Sequence, residues 1–387
     1  MNDLLLEAFK KENVEAIIES GLSKTISLST LRTFKDPLCR ADIIKCIVEG
    51  DYKIAPPRVC QIPKDNGKIR EIYVNTERDR LVLALANRAY INLYGDKLSS
   101  ACKAYLPGCS TSSAVRDLVK HKWDRGYKID LSKYFDSVPR NVLYDCLREI
   151  DTGSPLDAIV AEYYKDDVVI IKGEQVPRYK SLAQGCAVST FLANWVLRDV
   201  DNLMLTIYPY YARYSDDIVV FGYSLDPLVS ALNNLGLTVN PNKLEELTPD
   251  QEFTFLGYGV RGRDILISKS HFVEIKKCIK HACKTVRRKD LASLIQCVQK
   301  LLLYKQEPFY SWLYRQSCVT DYGRFVELDE YCKDCIRATL TGSHNYTHNV
   351  RRYPNEMFIE NGWLPIPHLI NLAKMSRPLF YEEVKNI

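Results

Sequence analysis

An acidic turn between two short apolar segments is the feature that most constrains how this chain can fold. Tyr210–Tyr214 and residues 218–221 are rich in aromatic and β-branched side chains, which favour strands. Only Ser215, Asp216 and Asp217 separate these segments, so a β-hairpin is predicted. Carboxylates at a turn between apolar strands call for a chemical explanation.

A third acidic residue follows an upstream segment. Residues 128–131, Lys-Ile-Asp-Leu, begin what reads as a buried strand ending in polar residues. If this strand pairs with the hairpin, Asp130 lies beside Asp216, with Asp217 close enough to support bound ions. Nucleotidyl transfer by two Mg²⁺ ions needs carboxylates that hold them about 4 Å apart. A two-metal site is therefore predicted, and the alternative is a helix-capping Asp130 and a solvated Asp216-Asp217 turn.

The remaining elements follow from apolar periodicity and from turn residues. Asn66-Gly67 predicts the turn of a basic hairpin within residues 54–73. A C-terminal helical region is expected to end at Pro354, and regular structure to break again in residues 363–367. Helical spacing elsewhere predicts helices in residues 1–50, 77–122 (with loops), 188–200 and 270–289.

The segment 270–289 carries the strongest basic surface of the chain. Its apolar positions share one helical face, and cations occupy much of the remainder. Clustered cations suit the phosphate backbone of a nucleic acid, although a solvated helix face is the alternative. The predicted nucleic-acid-binding residues are Lys276, Lys277, Lys280, Lys284, Arg287 and Arg288.

Composition sets wider bounds. A length of 387 residues with 46% hydrophobic content predicts two or three packed units. The net charge of +5 is too small to establish nucleic-acid binding, so local clusters must decide. Thirteen cysteines, an odd number, behind a start of Met-Asn-Asp predict reduced thiols and a cytoplasmic protein. No apolar run approaches the roughly 20 residues that cross a bilayer, so no membrane partner is expected.

Several segments, in order, resemble the motifs of reverse transcriptases. Residues 129–138, Ile-Asp-Leu-Ser-Lys-Tyr-Phe-Asp-Ser-Val, resemble the first palm motif of that family, and Tyr214-Ser215-Asp216-Asp217 resembles its Tyr-x-Asp-Asp motif. Residues 181–194 are similar to the Gln-Gly-x-x-x-Ser-Pro helix of bacterial and group II intron enzymes, with Thr190 in place of proline. Weaker matches are the fingers region at residues 62–80, the lysine motif at 236–243 and the Phe-Leu-Gly-Tyr element at 255–258.

The resemblance spans roughly residues 54–260 and implies an architecture. The expected fold class is α+β, a right-hand polymerase with fingers, a palm whose antiparallel sheet is flanked by helices, and a helical thumb. The predicted divisions are an N-terminal helical lead-in at 1–50, fingers and palm at 51–260, and a helical thumb with the C-terminal region at 261–387.

The resemblance also implies residue roles at the metal site. Catalysis would use Asp130, Asp216 and Asp217, with Leu131 added to the metal-ligand set and Lys243 protonating the pyrophosphate leaving group. The implied cofactor is a pair of Mg²⁺ ions, for which Mn²⁺ could substitute.

The incoming nucleotide would contact a second set of residues. Phe135 would collide with a ribose 2′ hydroxyl and so select deoxynucleotides, unless it is a core aromatic. Gln184 and Gly185 would approach the templating pair and the nucleotide closely, since glycine lacks a Cβ, or would form an ordinary loop. Lys64 and Arg70 would clamp the triphosphate, or would be solvated cations on a hairpin.

The implied activity is RNA-directed DNA synthesis, with an RNA template, a DNA product and deoxynucleotides as partners. Retron, group II intron and diversity-generating signatures are not found, which leaves a bacterial antiphage-defence enzyme by elimination. A retron or diversity-generating enzyme, a template-independent or protein-primed polymerase, an RNA-dependent RNA polymerase and an idle RNA-binding scaffold stay open. So do a companion non-coding RNA, a neighbouring-gene protein and the oligomeric state.

One motif lies outside the resemblance. The pair Cys332 and Cys335 precedes His344 and His348, and these donors suit zinc. The spacer is shorter than in the usual zinc finger, and both cysteines could equally be buried helix positions. Zinc binding is left open.

Overall fold

The computed structural model describes residues 3–63, 67, 69–303 and 311–385. The chain divides into two compact units, the first formed by Met1–Ser110 and Arg125–Glu246 and the second by Thr111–Asp124 and Leu247–Ile387. The division at residues 50 and 260 stays a prediction.

Helices provide most of the regular structure. The α-helices are α1 Asp3–Ala8, α2 Lys11–Glu19, α3 Leu28–Lys35, α4 Pro37–Val48, α5 Glu77–Tyr94, α6 Thr111–Leu118, α7 Tyr134–Ser137, α8 Arg140–Glu149, α9 Pro155–Lys165, α10 Val188–Val196, α11 Arg198–Ile207, α12 Asp226–Asn234, α13 Lys269–Thr285, α14 Leu291–Leu302, α15 Trp312–Arg315, α16 Gly323–Thr341, α17 Tyr346–Arg352, α18 Asn355–Glu360, α19 Ile366–Met375 and α20 Arg377–Val384.

The strands form three small sheets. They are β1 Arg58–Pro63, β2 Ile69–Val74, β3 Gly126–Asp130, β4 Val168–Ile171, β5 Glu174–Pro177, β6 Tyr210–Tyr214, β7 Asp217–Phe221, β8 Glu245–Leu247, β9 Phe253–Phe255, β10 Tyr258–Arg261 and β11 Asp264–Ile267. The strand orders are β2-β1-β4-β5, β6-β7-β3-β8 and β11-β10-β9.

The N-terminal region of the first unit is helical, as predicted. Asp36 begins α4 by accepting hydrogen bonds from the backbone nitrogens of Leu38 and Cys39, both at 2.9 Å. Apolar side chains of α1 to α4, such as Leu5 and Phe34, join the hydrophobic core of this unit. The N-terminal helices are therefore an integral layer of the first unit.

The predicted basic hairpin is confirmed as β1 and β2. These strands pair antiparallel from Arg58 opposite Val74 to Pro63 opposite Ile69. Lys64, Asp65, Asn66 and Lys68 of the predicted turn lie outside the described residues.

The helix predicted at residues 188–200 is two helices, α10 and α11. Leu197 lies between them with φ −98° and ψ 0°, outside helical values. Val196, Leu197 and Val200 are all buried in the same core. Because both helices present apolar residues to that core, the periodicity continues across the break and does not reveal it.

The acidic hairpin and the upstream strand form one antiparallel sheet, as predicted. Strand β7 pairs with β6 on one side and with β3 on the other. Its residues Ile218, Val219 and Val220 are completely buried. Apolar burial on both faces therefore holds the register that sets the ends of these strands.

In the second unit, the basic helix is shorter than predicted. Helix α13 ends at Thr285, and Val286 has an extended conformation (φ −59°, ψ 133°). Asp290 then begins α14 by accepting a hydrogen bond from the Ser293 nitrogen at 2.9 Å. The chain must turn between the two helices, which places Arg287 and Arg288 beyond the end of α13.

The predicted break at Pro354 is confirmed, because α17 ends at Arg352 and α18 begins at Asn355. The second predicted break, in residues 363–367, is shorter than expected, since α19 already begins at Ile366. Pro367 lies in the first turn of α19, where a missing backbone N–H costs nothing. Trp363, only 1% exposed, lies between α18 and α19 and donates a hydrogen bond to Asp329 at 3.1 Å.

Two general expectations concern cysteines and membranes. All thirteen cysteines, each within the described ranges, are free. Within those ranges no helix combines the length and apolar character needed to span a bilayer.

Candidate active site

Three aspartates lie at the end of the β6-β7-β3 sheet. Asp130, the last residue of β3, lies opposite Asp217, the first residue of β7. The backbone nitrogen of Leu131 donates to the Asp216 carbonyl at 3.1 Å. Strand pairing thus brings together residues 86 positions apart in the sequence (216 minus 130), which were predicted to form one site.

The hairpin turn has an unusual backbone. Tyr214 and Asp217 are the last paired residues of β6 and β7, which leaves Ser215 and Asp216 as the loop. Ser215 has φ +63°, a left-handed conformation uncommon outside glycine, and its side chain is buried. Such a backbone persists only where the surroundings hold it.

Burial and mutual repulsion govern the protonation of this site. Desolvation, followed by the negative charges of Asp216 and Asp130, raises the pKa of Asp217 to about 6. Lys243 and Lys128 act in the opposite direction. The site thus concentrates negative charge in a partly desolvated place, which a cation would stabilise.

Lys243 supplies one such cation. Its Nζ lies 2.5 Å from Oδ2 of Asp130, whose side chain is 8% exposed. Burial lowers the pKa of Lys243, but the hydrogen bond to Asp130 and the charges of Asp130, Asp217 and Asp216 raise it overall. The Asp130 carbonyl also accepts a hydrogen bond from the Asn240 nitrogen at 2.8 Å, which ties the lysine segment to β3.

The donor chemistry of the site fits a divalent cation. Carboxylate and carbonyl oxygens are the ligands that hard cations prefer. The raised pKa of Asp217 reflects burial first and then repulsion by Asp216 and Asp130, and a bound cation would relieve this repulsion. In the part of the chain that the structure describes, no three His, Cys, Asp or Glu side chains already converge as a metal-ligand set. Asp130 is paired with Lys243 instead.

A cavity of about 460 Å³ in the first unit adjoins the acidic turn. Five residues predicted to be at the active site line it: Arg70, Phe135, Gln184, Gly185 and Asp216. Lys64, predicted to act with Arg70, lies outside the described residues. Sequence reasoning assigned no role to four polar residues that also line this cavity: Asn75, Arg80, Tyr105 and Thr190.

Phe135 lies on the cavity wall. It belongs to the short helix α7, which follows Lys133 in a left-handed conformation (φ +48°). Its ring packs edge-on against Tyr134 with centroids 5.8 Å apart, and its side chain is half-buried. Phe135 is therefore anchored on one side and faces the cavity on the other.

The structure gives Gly185 a steric reason to be glycine, and its predicted approach to the nucleotide stays a prediction. It has φ +108°, and a Cβ added there would lie 2.5 Å from Cγ2 of Ile72 and 2.9 Å from the Tyr73 carbonyl oxygen. The Gln184 carbonyl accepts a hydrogen bond from the Tyr73 nitrogen at 2.8 Å. The close approach is therefore to strand β2, and it holds the Gln184-Gly185 loop at the cavity.

Arg80 joins the N-terminal region to this cavity. Its guanidinium donates to Oγ1 of Thr25 at 2.6 Å and to the Thr25 carbonyl at 3.1 Å. Leu22, from the same N-terminal segment, also lines the cavity. The only sequence signal for Arg80 was its place in the fingers-like Arg-Asp-Arg run.

The predicted phosphate-binding cations of the second unit divide into two groups. Lys276 is half-buried, contacts Glu327 at 2.5 Å and lies 4.4 Å from the centre of the Phe272 ring. The other five are exposed: Lys277, Lys280, Lys284, Arg287 and Arg288.

The candidate zinc ligands do not form a metal site among the described residues. Cys332 is completely buried in α16 and Cys335 is half-buried, whereas His344 and His348 are exposed. Burial in a helix core accounts for Cys332.

The first unit contains a small antiparallel sheet flanked by helices, carboxylates at the end of a hairpin and a nucleotide-sized cavity beside this hairpin. This arrangement is the palm of a right-hand nucleic-acid polymerase. Residues 62–260 match the family described as reverse transcriptase (RNA-dependent DNA polymerase). This match covers more than half of the chain, which therefore belongs to the reverse transcriptase family.

Individual relatives are distant. The chain is 23% identical over 155 residues to the putative COX1/OXI3 intron 1 protein of Saccharomyces cerevisiae, covering 40% of this chain and 19% of that protein. It is 24% identical over 168 residues to protein YkfC of Escherichia coli K12, covering 41% of this chain and 43% of that one. The chain thus spans less than half the length of these relatives.

Two solved structures are similar to this chain, and the first of them shares its fold. The RNA-dependent RNA polymerase of a human picobirnavirus aligns with a TM-score of 0.50 at 12% identity, over 82% of this chain and 64% of that one. Apo telomerase from Candida tropicalis aligns with a TM-score of 0.49 at 12% identity, over 86% and 64%.

Proposed function

We propose that this protein is an RNA-directed DNA polymerase. The observation that carries the proposal is the pairing of Asp130 with Asp217 next to Asp216, which itself lines a cavity together with Phe135 and Gln184. Membership of the reverse transcriptase family supports it. RNA template, DNA product and deoxynucleotides are the proposed partners.

Asp130 and Asp216, with the carbonyl of Leu131 and support from Asp217, are the proposed ligands of two Mg²⁺ ions, with Mn²⁺ as a substitute. When bound, the ions would activate the primer 3′ hydroxyl and neutralise charge on the phosphates. Lys243 is the proposed proton donor to pyrophosphate. Its raised pKa keeps it protonated at neutral pH, which a donor requires.

The cavity is the proposed site of the incoming deoxynucleotide. Phe135 would exclude a ribose 2′ hydroxyl by contact, because its ring lies on the cavity wall and packs edge-on against Tyr134. Arg70 and Lys64 would bind the triphosphate, for which a guanidinium offers bidentate geometry. Gln184 would face the base pair being formed.

The exposed lysines of α13 are the proposed contact with the primer-template backbone, the role of a thumb. Lys277, Lys280 and Lys284 recur at intervals of three and four residues and so share one side of the helix. Lys276 contributes less, because Glu327 already neutralises it.

A bacterial, cytoplasmic role in antiphage defence is the proposed setting, because the signatures of retron, group II intron and diversity-generating enzymes are not found in the sequence. Plaque counts on cells expressing the protein from its own locus, compared with cells expressing Asp216→Asn, would test it. Equal counts across a broad phage panel would count against a defence role.

The activity is tested by incubating purified protein and a primed RNA template with Mg²⁺ and labelled nucleotides. We expect DNA synthesis from deoxynucleotides, loss of product with Asp216→Asn, and little use of ribonucleotides. Equal synthesis by Asp216→Asn would contradict the metal-site assignment. Product without template would indicate a template-independent enzyme, and no product under any condition would favour an RNA-binding scaffold.

A further inference from the structure

A buried ion pair lies directly beneath the acidic turn. Arg213, one residue before Tyr214, and Asp201, on α11, are both completely buried. The Arg213 guanidinium donates to Asp201 through Nε at 2.9 Å and through Nη2 at 2.6 Å. Tyr211 donates its hydroxyl to the same carboxylate at 2.8 Å.

The remaining nitrogen of Arg213 points to the turn. Its Nη1 donates to the Ser215 carbonyl at 3.1 Å and lies 3.3 Å from Oδ1 of Asn194. Ser215 is the residue with φ +63°, and its carbonyl belongs to the peptide bond that leads into Asp216. Arg213 therefore fixes the peptide plane immediately before a proposed metal ligand.

The backbone of Arg213 is itself held by hydrogen bonds to residues 101 and 103. Its backbone nitrogen donates to the Ala101 carbonyl at 2.9 Å, and its carbonyl accepts from the Lys103 nitrogen at 2.8 Å. Tyr105, from the same segment, donates its hydroxyl to Oγ of Ser215 at 3.1 Å. Arg213 thus holds Ser215 through its carbonyl, and Tyr105 holds it through its hydroxyl.

A buried ion pair is a costly way to stabilise a core, because two apolar residues of similar volume often serve as well or better. A strained turn, by contrast, persists only when surrounding contacts over-determine it. The contacts of Arg213 and Tyr105 converge on Ser215, a non-glycine residue with positive φ next to Asp216.

We propose that Arg213, oriented by Asp201 and Asn194, is a positioning residue that holds the Ser215-Asp216 turn in the geometry needed to bind divalent metal. This inference deepens the proposed polymerase function and rests on it for the metal site. Arg213 touches neither substrate nor metal in this role.

The test is Arg213→Lys in the full chain, because lysine keeps the charge beside Asp201 but cannot reach Asp201, Asn194 and the Ser215 carbonyl together. The matched control is Arg337→Lys in the second unit. Arg337 is also buried (1% exposed), and it donates to Asp334 at 2.9 Å and to Asn355 at 2.6 Å.

The first readout needs no catalysis. Mn²⁺ binding is followed by the loss of the free-ion electron paramagnetic resonance signal, with Asp216→Asn as the reference for binding elsewhere. We expect Arg213→Lys to weaken the Asp216-dependent binding about tenfold or more, as loss of a partner that orients a metal ligand typically does. Arg337→Lys should bind Mn²⁺ like the wild type.

The second readout is steady-state DNA synthesis. We expect Arg213→Lys to lower kcat about tenfold to a hundredfold, while KM for the deoxynucleotide stays within about twofold. If the wild type makes no DNA, the polymerase proposal fails and the Mn²⁺ measurement alone judges the inference. Wild-type Mn²⁺ binding by folded Arg213→Lys would overturn it.

A second variant covers the case in which Arg213→Lys does not fold. Arg213→Met combined with Asp201→Leu removes both charges and leaves no unpaired ion in the core. We expect a cooperative unfolding transition and the same weakened Mn²⁺ binding. If this double variant bound Mn²⁺ as tightly as the wild type, the ion pair would be structural only and the inference wrong.

Discussion

Asp130 lies opposite Asp217 across strands β3 and β7, and the same register places Ile129 opposite Ile218 in the core. The apolar pair and the acidic pair are therefore consequences of one strand alignment. A one-residue slip of β3 would turn Asp130 to the other face of the sheet and separate the carboxylates. Core packing thus maintains an arrangement that the charges themselves oppose.

The raised pKa of Asp217 predicts a pH-dependent stability difference. A folded-state pKa of about 6, against the ordinary value of 3.8, means that the charged form of Asp217 destabilises the fold. The resulting loss in the free energy of unfolding is complete above pH 6 and decreases as the pH falls towards 3.8. In EDTA, Asp217→Asn should stabilise the protein by up to about 3 kcal/mol at pH 8, and by up to about 1 kcal/mol at pH 4.5. Urea unfolding at both pH values measures this.

An exposed aspartate provides the control for that experiment. Asp42→Asn, on α4, should change the free energy of unfolding by less than about 0.5 kcal/mol at either pH. A stabilisation by Asp217→Asn that is the same at pH 4.5 and pH 8 would contradict the raised pKa.

Phe135 predicts sugar selectivity. Phe135→Ala removes the ring that the cavity wall presents, so ribonucleotides should be used about tenfold better relative to deoxynucleotides. Single-nucleotide extension with each substrate gives the ratio of kcat/KM values. Phe135→Tyr retains the ring and should remain selective, and an unchanged ratio in Phe135→Ala would remove Phe135 from the proposed gate.

Gly185 predicts a steric effect on stability. Gly185→Ala would force a Cβ against Ile72 and the Tyr73 carbonyl, at a φ that alanine rarely adopts. We expect a loss of about 2–4 kcal/mol in the free energy of unfolding and a higher KM for deoxynucleotides. Gly153→Ala is the matched control, because Gly153 also has positive φ (+77°) but nothing within 4 Å of an added Cβ.

Comparing Gly153 with Gly185 separates the energetic cost of the positive φ from the cost of the Cβ clash. Gly153→Ala should cost only about 1 kcal/mol, the conformational part alone, and should leave KM unchanged. Equal destabilisation by both substitutions would show that close packing against β2 is not what requires Gly185.

The α13 lysines predict salt-dependent nucleic-acid binding. Replacing Lys277, Lys280 and Lys284 together by Gln should weaken binding to a primed RNA template and reduce the slope of log affinity against log salt by about 2 to 3. Fluorescence anisotropy at several salt concentrations measures both quantities. The control replaces three exposed lysines of the first unit by Gln: Lys11, Lys45 and Lys53.

If the control variant lost as much slope as the α13 variant, net charge and not the α13 surface would control binding. If the α13 variant kept the wild-type slope, the proposed thumb contact would be wrong.

Local patterns in the sequence determined the acidic hairpin, the strand that ends in Asp130, the fingers-like hairpin and the family. They did so because strand alternation, turn residues and motif order are properties of neighbouring residues. The ends of α10 and α13, and the helices after Pro354, depended on packing and capping that periodicity does not encode.

Only the tertiary structure showed why Gly185 must be glycine and why Arg213 is buried. Ile72 and Tyr73 lie more than 100 positions from Gly185 in the sequence, and the Cβ clash exists only once β2 packs against that loop. Arg213 lies in the apolar strand β6, and its partner Asp201 comes from helix α11. Which charge neutralises a buried charge is decided by distance in space, and a single sequence records only distance along the chain.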